Sequence, residues 1–167
     1  ADSIYLNGAT GGVFEVDSCY IWSGNTASTA QILVHSAGAT QENHTKFAAC
    51  TFRFGATGQS FAVGACVDFE GCTISSAGSA PTDLFVSGQM TAIARMTACD
   101  LSHVTSNLVG NQTAGFVRYD FEQCKLGAGV TVMATQTTYA NLSQTEVFVR
   151  DCAVGDSHMQ FQYHNAL

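Results

Sequence analysis

Val67–Ile74 reads VDFEGCTI, and Tyr119–Leu126 reads YDFEQCKL. In each, two acidic residues flank a phenylalanine and a cysteine follows two positions after the second acid. Such a cluster suits a pair of catalytic carboxylates, a metal site or an architectural repeat. The remaining cysteines decide among these. Six of the seven, Cys19, Cys50, Cys72, Cys99, Cys124 and Cys152, share one local frame: FEVDSCYI, TKFAACTF, VDFEGCTI, ARMTACDL, YDFEQCKL and VFVRDCAV. Three positions before the cysteine stand Val16, Phe47, Phe69, Met96, Phe121 and Val149. Two positions after it stand Ile21, Phe52, Ile74, Leu101, Leu126 and Val154. Every one of these is apolar, and only Cys66 lies outside the frame.

The frame recurs every 22 to 31 residues, the period range of solenoids, in which each unit covers its neighbour's apolar face. Alternate residues of a strand share a face, so positions −3 and 0 of an unbroken strand point oppositely. Both are apolar here, which predicts a bend near position −1. The residues there, Ser18, Ala49, Gly71, Ala98, Gln123 and Asp151, are mostly small or turn-tolerant. A second apolar burst lies between frames: AQILVHSAG, QSFAVGA, TDLFVSG, SNLVGN, GVTVMATQ and HMQFQYH. Each coil is expected to take one strand from that burst, one ending at −3 and one starting at the cysteine. Apolar residues alternate in short bursts and no helical period persists. The expected fold is all-β: a right-handed, single-stranded parallel β-helix of about six coils, three short strands per coil, forming one domain over 1–167 within a longer chain.

The pattern apolar-x-apolar-x-x-Cys-x-apolar resembles the coil signature of the pectate-lyase-like β-helix superfamily over about residues 12–165. Members of that superfamily often carry Asn just before the inward Cys, and this chain has none there. The superfamily includes lyases, glycosidases, phage tailspikes and adhesins, so the resemblance implies a fold more than a reaction.

Composition narrows the partners. Six Lys+Arg against thirteen Asp+Glu give a net charge of −7, opposite to the clustered cations that nucleic acid or an anionic membrane surface requires. The apolar runs are too short to span a bilayer as a helix. No cofactor motif is present.

Stacking the coils exposes positions −4 and −2: Glu15/Asp17, Lys46/Ala48, Asp68/Glu70, Arg95/Thr97, Asp120/Glu122 and Phe148/Arg150. The sign of charge alternates from coil to coil. Stacked strands lie about 4.8 Å apart, so this order sets attraction along the stack. A catalytic pair instead needs carboxylates gathered in a cleft. Asp68, Glu70, Asp120 and Glu122 are therefore read first as ladder residues, and they are the catalytic candidates if the chain is a polysaccharide lyase or hydrolase.

The six frame cysteines are expected to form an inward column of free thiols. Their spacing fits neither a disulfide framework nor a zinc site, and free thiols imply synthesis in a reducing compartment. His35, His44, His103, His158 and His164 are scattered, and the sequons at Asn43, Asn111 and Asn141 suit chance in a Ser/Thr-rich chain. The tailspike resemblance implies a structural or receptor-binding segment of a virion appendage or surface fibre, displayed outside the cell. Its coil ends would be covered by flanking chain or by a homotrimer, and host surface polysaccharide is the expected ligand class. A depolymerase of the same fold is the alternative. An ice-binding solenoid fits poorly, because coils of unequal length carry no repeated Thr ladder.

Overall fold

A computed structural model describes residues 4–7, 12–22, 31–35, 43–63, 66–76, 80–86, 92–110, 117–133 and 145–154. The first coil contributes β1 (Ile4–Asn7), β2 (Gly12–Asp17) and β3 (Tyr20–Trp22). The second contributes β4 (Gln31–His35), β5 (Asn43–Ala48) and β6 (Thr51–Phe54), and the third β7 (Ser60–Val63), β8 (Cys66–Glu70) and β9 (Thr73–Ser76). Then come β10 (Asp83–Val86), β11 (Ala92–Thr97) and β12 (Asp100–Leu101), followed by β13 (Asn107–Val109), β14 (Val117–Glu122) and β15 (Lys125–Leu126). Last are β16 (Thr131–Met133), β17 (Thr145–Arg150) and β18 (Ala153–Val154). Every third strand joins the same sheet, giving three six-stranded sheets whose paired strands all run parallel. The chain is a parallel β-helix. The burst HMQFQYH lies outside the described residues.

The bend sits where the frame places it. Ser18, Ala49, Gly71, Ala98, Gln123 and Asp151 all have φ between 50° and 60°, the left-handed region that turns the chain sharply in one residue. The second-sheet strand runs one residue further than expected, to −2, and the next strand starts at +1, so the cysteine belongs to the bend. Hydrogen bonding between coils continues through the corner. The Ala49 N–H donates to the Glu70 carbonyl at 2.8 Å, and the Thr73 N–H donates to the Cys50 carbonyl at 2.9 Å. The same two bonds recur along the stack, which explains why the corner keeps one length in all six coils while the other loops vary.

Left-handed backbone costs a residue with a Cβ about 1–2 kcal/mol, and glycine avoids most of that at the expense of a freer unfolded chain. Ala98 is exposed and loses only a methyl group. Ala98→Gly is therefore expected to raise stability by about 0.5–1 kcal/mol in urea unfolding. A decrease would contradict the turn geometry.

Inside the bend, a continuous core fills the solenoid. In register lie Phe47, Phe69, Met96 and Phe121, all buried. Phe69 stacks on Phe47 with ring centres 5.3 Å apart, and it meets Phe52, Phe61 and Phe85 at 5.6, 4.9 and 6.1 Å. Tyr119 is fully buried beside Phe85, 5.2 Å between centres.

Cys19, Cys50, Cys72, Cys99, Cys124 and Cys152 follow one another at the bend of successive coils, and all seven cysteines are free thiols. The sulfurs of Cys50, Cys72, Cys99, Cys124 and Cys152 each lie against two carbonyls, that of position −3 in the preceding coil and that of the cysteine's own −2 residue. For Cys99 these are Phe69 and Thr97, both at 3.4 Å. Burial pushes the Cys50 thiol up. Contacts with the Cys124 and Cys72 thiols, and then burial, push Cys99 up, while the same contacts with Cys99 pull Cys72 and Cys124 down. A thiol raised in the folded state stabilises fully below its unfolded value, about 8.5, and that contribution is lost as pH rises beyond it. Through Cys50 and Cys152, both raised by burial, the melting temperature is therefore expected to fall above about pH 9. A thiol-reactive disulfide reagent at pH 8 is expected to modify the exposed Cys19 rapidly, and Cys50, Cys72, Cys99 and Cys124 only after denaturation. Rapid native labelling of those four, read by mass spectrometry, would contradict the column.

Candidate functional site

The outer face of the second sheet gathers most of the chain's charge. Along it the −4 residues align in the order Glu15, Lys46, Asp68, Arg95, Asp120 and Phe148. The −2 residues align as Asp17, Ala48, Glu70, Thr97, Glu122 and Arg150. This is the register expected from the cysteine frame.

A third outward row lies two residues further back, at −6. His44, Cys66, Ile93, Arg118 and Glu146 align there. The two-residue period that defines −2 and −4 extends to this row. Cys66, set outside the frame by sequence, is thus an outward residue of β8. It is almost covered by its neighbours, and burial pushes its thiol up.

All four candidate carboxylates have cationic or imidazole partners. Asp68 meets Arg95 Nη1 at 3.3 Å through Oδ1 and His44 Nε2 at 2.6 Å through Oδ2. Glu70 Oε2 takes Lys46 Nζ at 2.7 Å. That hydrogen bond and the charge of Glu70 push the lysine up. Glu122 faces Arg150 Nη2 at 3.8 Å.

Asp120 is the exception to the picture of an exposed ladder. Although outward in register, it is only 5 % exposed. Arg118, two residues earlier on β14, donates to both its oxygens, Nε at 2.9 Å and Nη2 at 3.1 Å, and this pairing raises Arg118. Arg95 reaches it from one coil at 3.8 Å and Arg150 from the other at 3.6 Å. Phe148 closes the group, with Arg118 Cζ 4.5 Å from its ring centre. Three guanidinium groups and an aromatic ring thus cover one carboxylate. Arg118 was missed by sequence because it lies in the −6 row.

The face brings Asp68 and Asp120 onto strands two rungs apart with Arg95 between them, touching both. That arrangement ties coils together and sets a cation between the two carboxylates. His44, Cys66 and Asp68 adjoin, but the histidine is committed to the carboxylate. Among the described residues no group of three or more His, Cys, Asp or Glu is arranged to hold a metal ion. Of the other histidines, His103 is exposed on the loop after β12, and His158 and His164 lie outside the described residues, as do Asn111 and Asn141. No family model matches the chain, and no curated protein or solved structure matches it.

Proposed function

We propose that this chain is a structural, surface-binding segment of a virion appendage or surface fibre, not an enzyme. The observation that carries this reading is the use of the charged face. Asp68, Glu70, Asp120 and Glu122 are each bonded to cations from neighbouring coils, so the carboxylates act between coils. A parallel stack with a continuous aromatic core suits a part that must resist unfolding outside the cell. The free thiols fit assembly in a reducing cytoplasm before display. The solenoid ends are expected to be covered by flanking chain or in a homotrimer, and host surface polysaccharide remains the expected ligand class.

The test is depolymerisation. Capsular, O-antigen and pectic polysaccharides incubated with the protein are expected to release neither reducing nor unsaturated sugar ends. Release by the wild-type protein that disappears in Asp68→Asn or Asp120→Asn would replace this reading with that of a lyase or hydrolase.

A further inference from the structure

Of the chain's six Lys and Arg residues, five are tied to carboxylates: Lys46, Arg95, Arg118, Lys125 and Arg150. Arg53 makes no ion pair among the described residues. It stands on the outer face of the third sheet, on β6, in register with Trp22 of β3 and Ser75 of β9. Its guanidinium lies over the indole, Cζ 5.9 Å from the ring centre, and its Nη1 donates to Tyr20 Oη at 3.3 Å. Both aromatics are open to solvent, Tyr20 59 % and Trp22 58 % exposed. Thr51 and Thr73 continue the Tyr20 row.

These groups point to one kind of ligand. A guanidinium fork matches a planar carboxylate, and an open indole offers a flat apolar surface to the C–H face of a sugar ring. Rungs about 4.8 Å apart let one pyranose lie on Trp22 while its carboxylate reaches Arg53. A polyanion such as nucleic acid is disfavoured, because the chain carries a net charge of −7 and Arg53 is the one Lys or Arg outside an ion pair among the described residues. We propose that Trp22, Tyr20 and Arg53 form a subsite for a single carboxylate-bearing sugar residue of a glycan. The subsite lies on a different sheet from the charge ladder and stands independently of the virion reading.

Trp22 is the only tryptophan, so its fluorescence reports the site directly. Titration with sialyllactose and with digalacturonate is expected to change the emission saturably for at least one of them, and lactose to leave it unchanged. Arg53→Gln is expected to weaken binding at least tenfold. Arg53→Lys, which keeps the charge and loses the fork, is expected to weaken it at least threefold, with circular dichroism confirming that both variants are folded. No response to either acidic sugar, an equal response to lactose, or wild-type affinity in either variant would overturn the proposal.

Discussion

Phe69→Ala is expected to lower the unfolding free energy by about 4 kcal/mol, the largest effect of any substitution considered. The ring is 1 % exposed and lies among four other phenylalanines at 4.9 to 6.1 Å. It comes from the third coil, so coils on both sides hold the cavity walls in place and limit collapse. Truncation loses both the transferred area and the packing around it. In a chain of this length 1 kcal/mol corresponds to roughly 2–4 °C, so the melting temperature should fall by about 8–16 °C. Phe14 supplies the control. It has the same inward parity in the first coil yet is 50 % exposed, and Phe14→Ala is expected to cost less than about 1 kcal/mol. Similar losses in the two variants would contradict a core built by stacking one coil on the next.

Arg95→Glu is expected to be the second largest. Arg95 bridges Asp68 on one strand and Asp120 on the other, and the replacement sets three carboxylates in consecutive register. Exposed ion pairs contribute about 0–1 kcal/mol each. Asp120, however, is almost buried and would keep only Arg118 and Arg150, and breaking buried pairs costs about 3–5 kcal/mol. With Arg95 itself half-exposed, the expected loss lies between these limits, about 2 kcal/mol. Part of it should return at 1 M salt, where exposed charges are screened beyond about 3 Å. Lys46→Glu should act in the same direction by a smaller amount, since all its partners are well exposed. An unchanged melting temperature in Arg95→Glu would remove the ladder from the account of register.

The fold was legible because one residue type marks one corner. The cysteines supply the origin from which −3 and +2 read as apolar. The conflict in parity between −3 and 0 demands the bend that six left-handed residues make. Register followed from the same origin, down to Glu15 opposite Lys46 and Arg95 opposite Asp120. The burial of Asp120 was not legible, because it depends on Arg118 folding back along its own strand and on Arg150 reaching from the next coil. The pairing of His44 with Asp68 was hidden for a related reason: 24 residues and a loop of variable length separate them. Tyr20, Trp22 and Arg53 escaped notice because the outward positions after the cysteine follow no common pattern. Trp22 and Arg53 meet only once the first two coils are stacked.

Pulsed electron resonance between spin labels at Ser18 and Gln123 tests the stacked solenoid most directly, with Cys19 replaced by Ser and the buried thiols left in place. Both positions are exposed corners of the same type, 105 residues apart in the chain. Four rungs separate them, which places their backbones about 19 Å apart. A single narrow distance near that value, allowing for the label arms, is the predicted result. A broad distribution, or a distance beyond about twice that spacing, would contradict the parallel, in-register coil stack on which the ladder, the thiol column and the Arg53 subsite all rest.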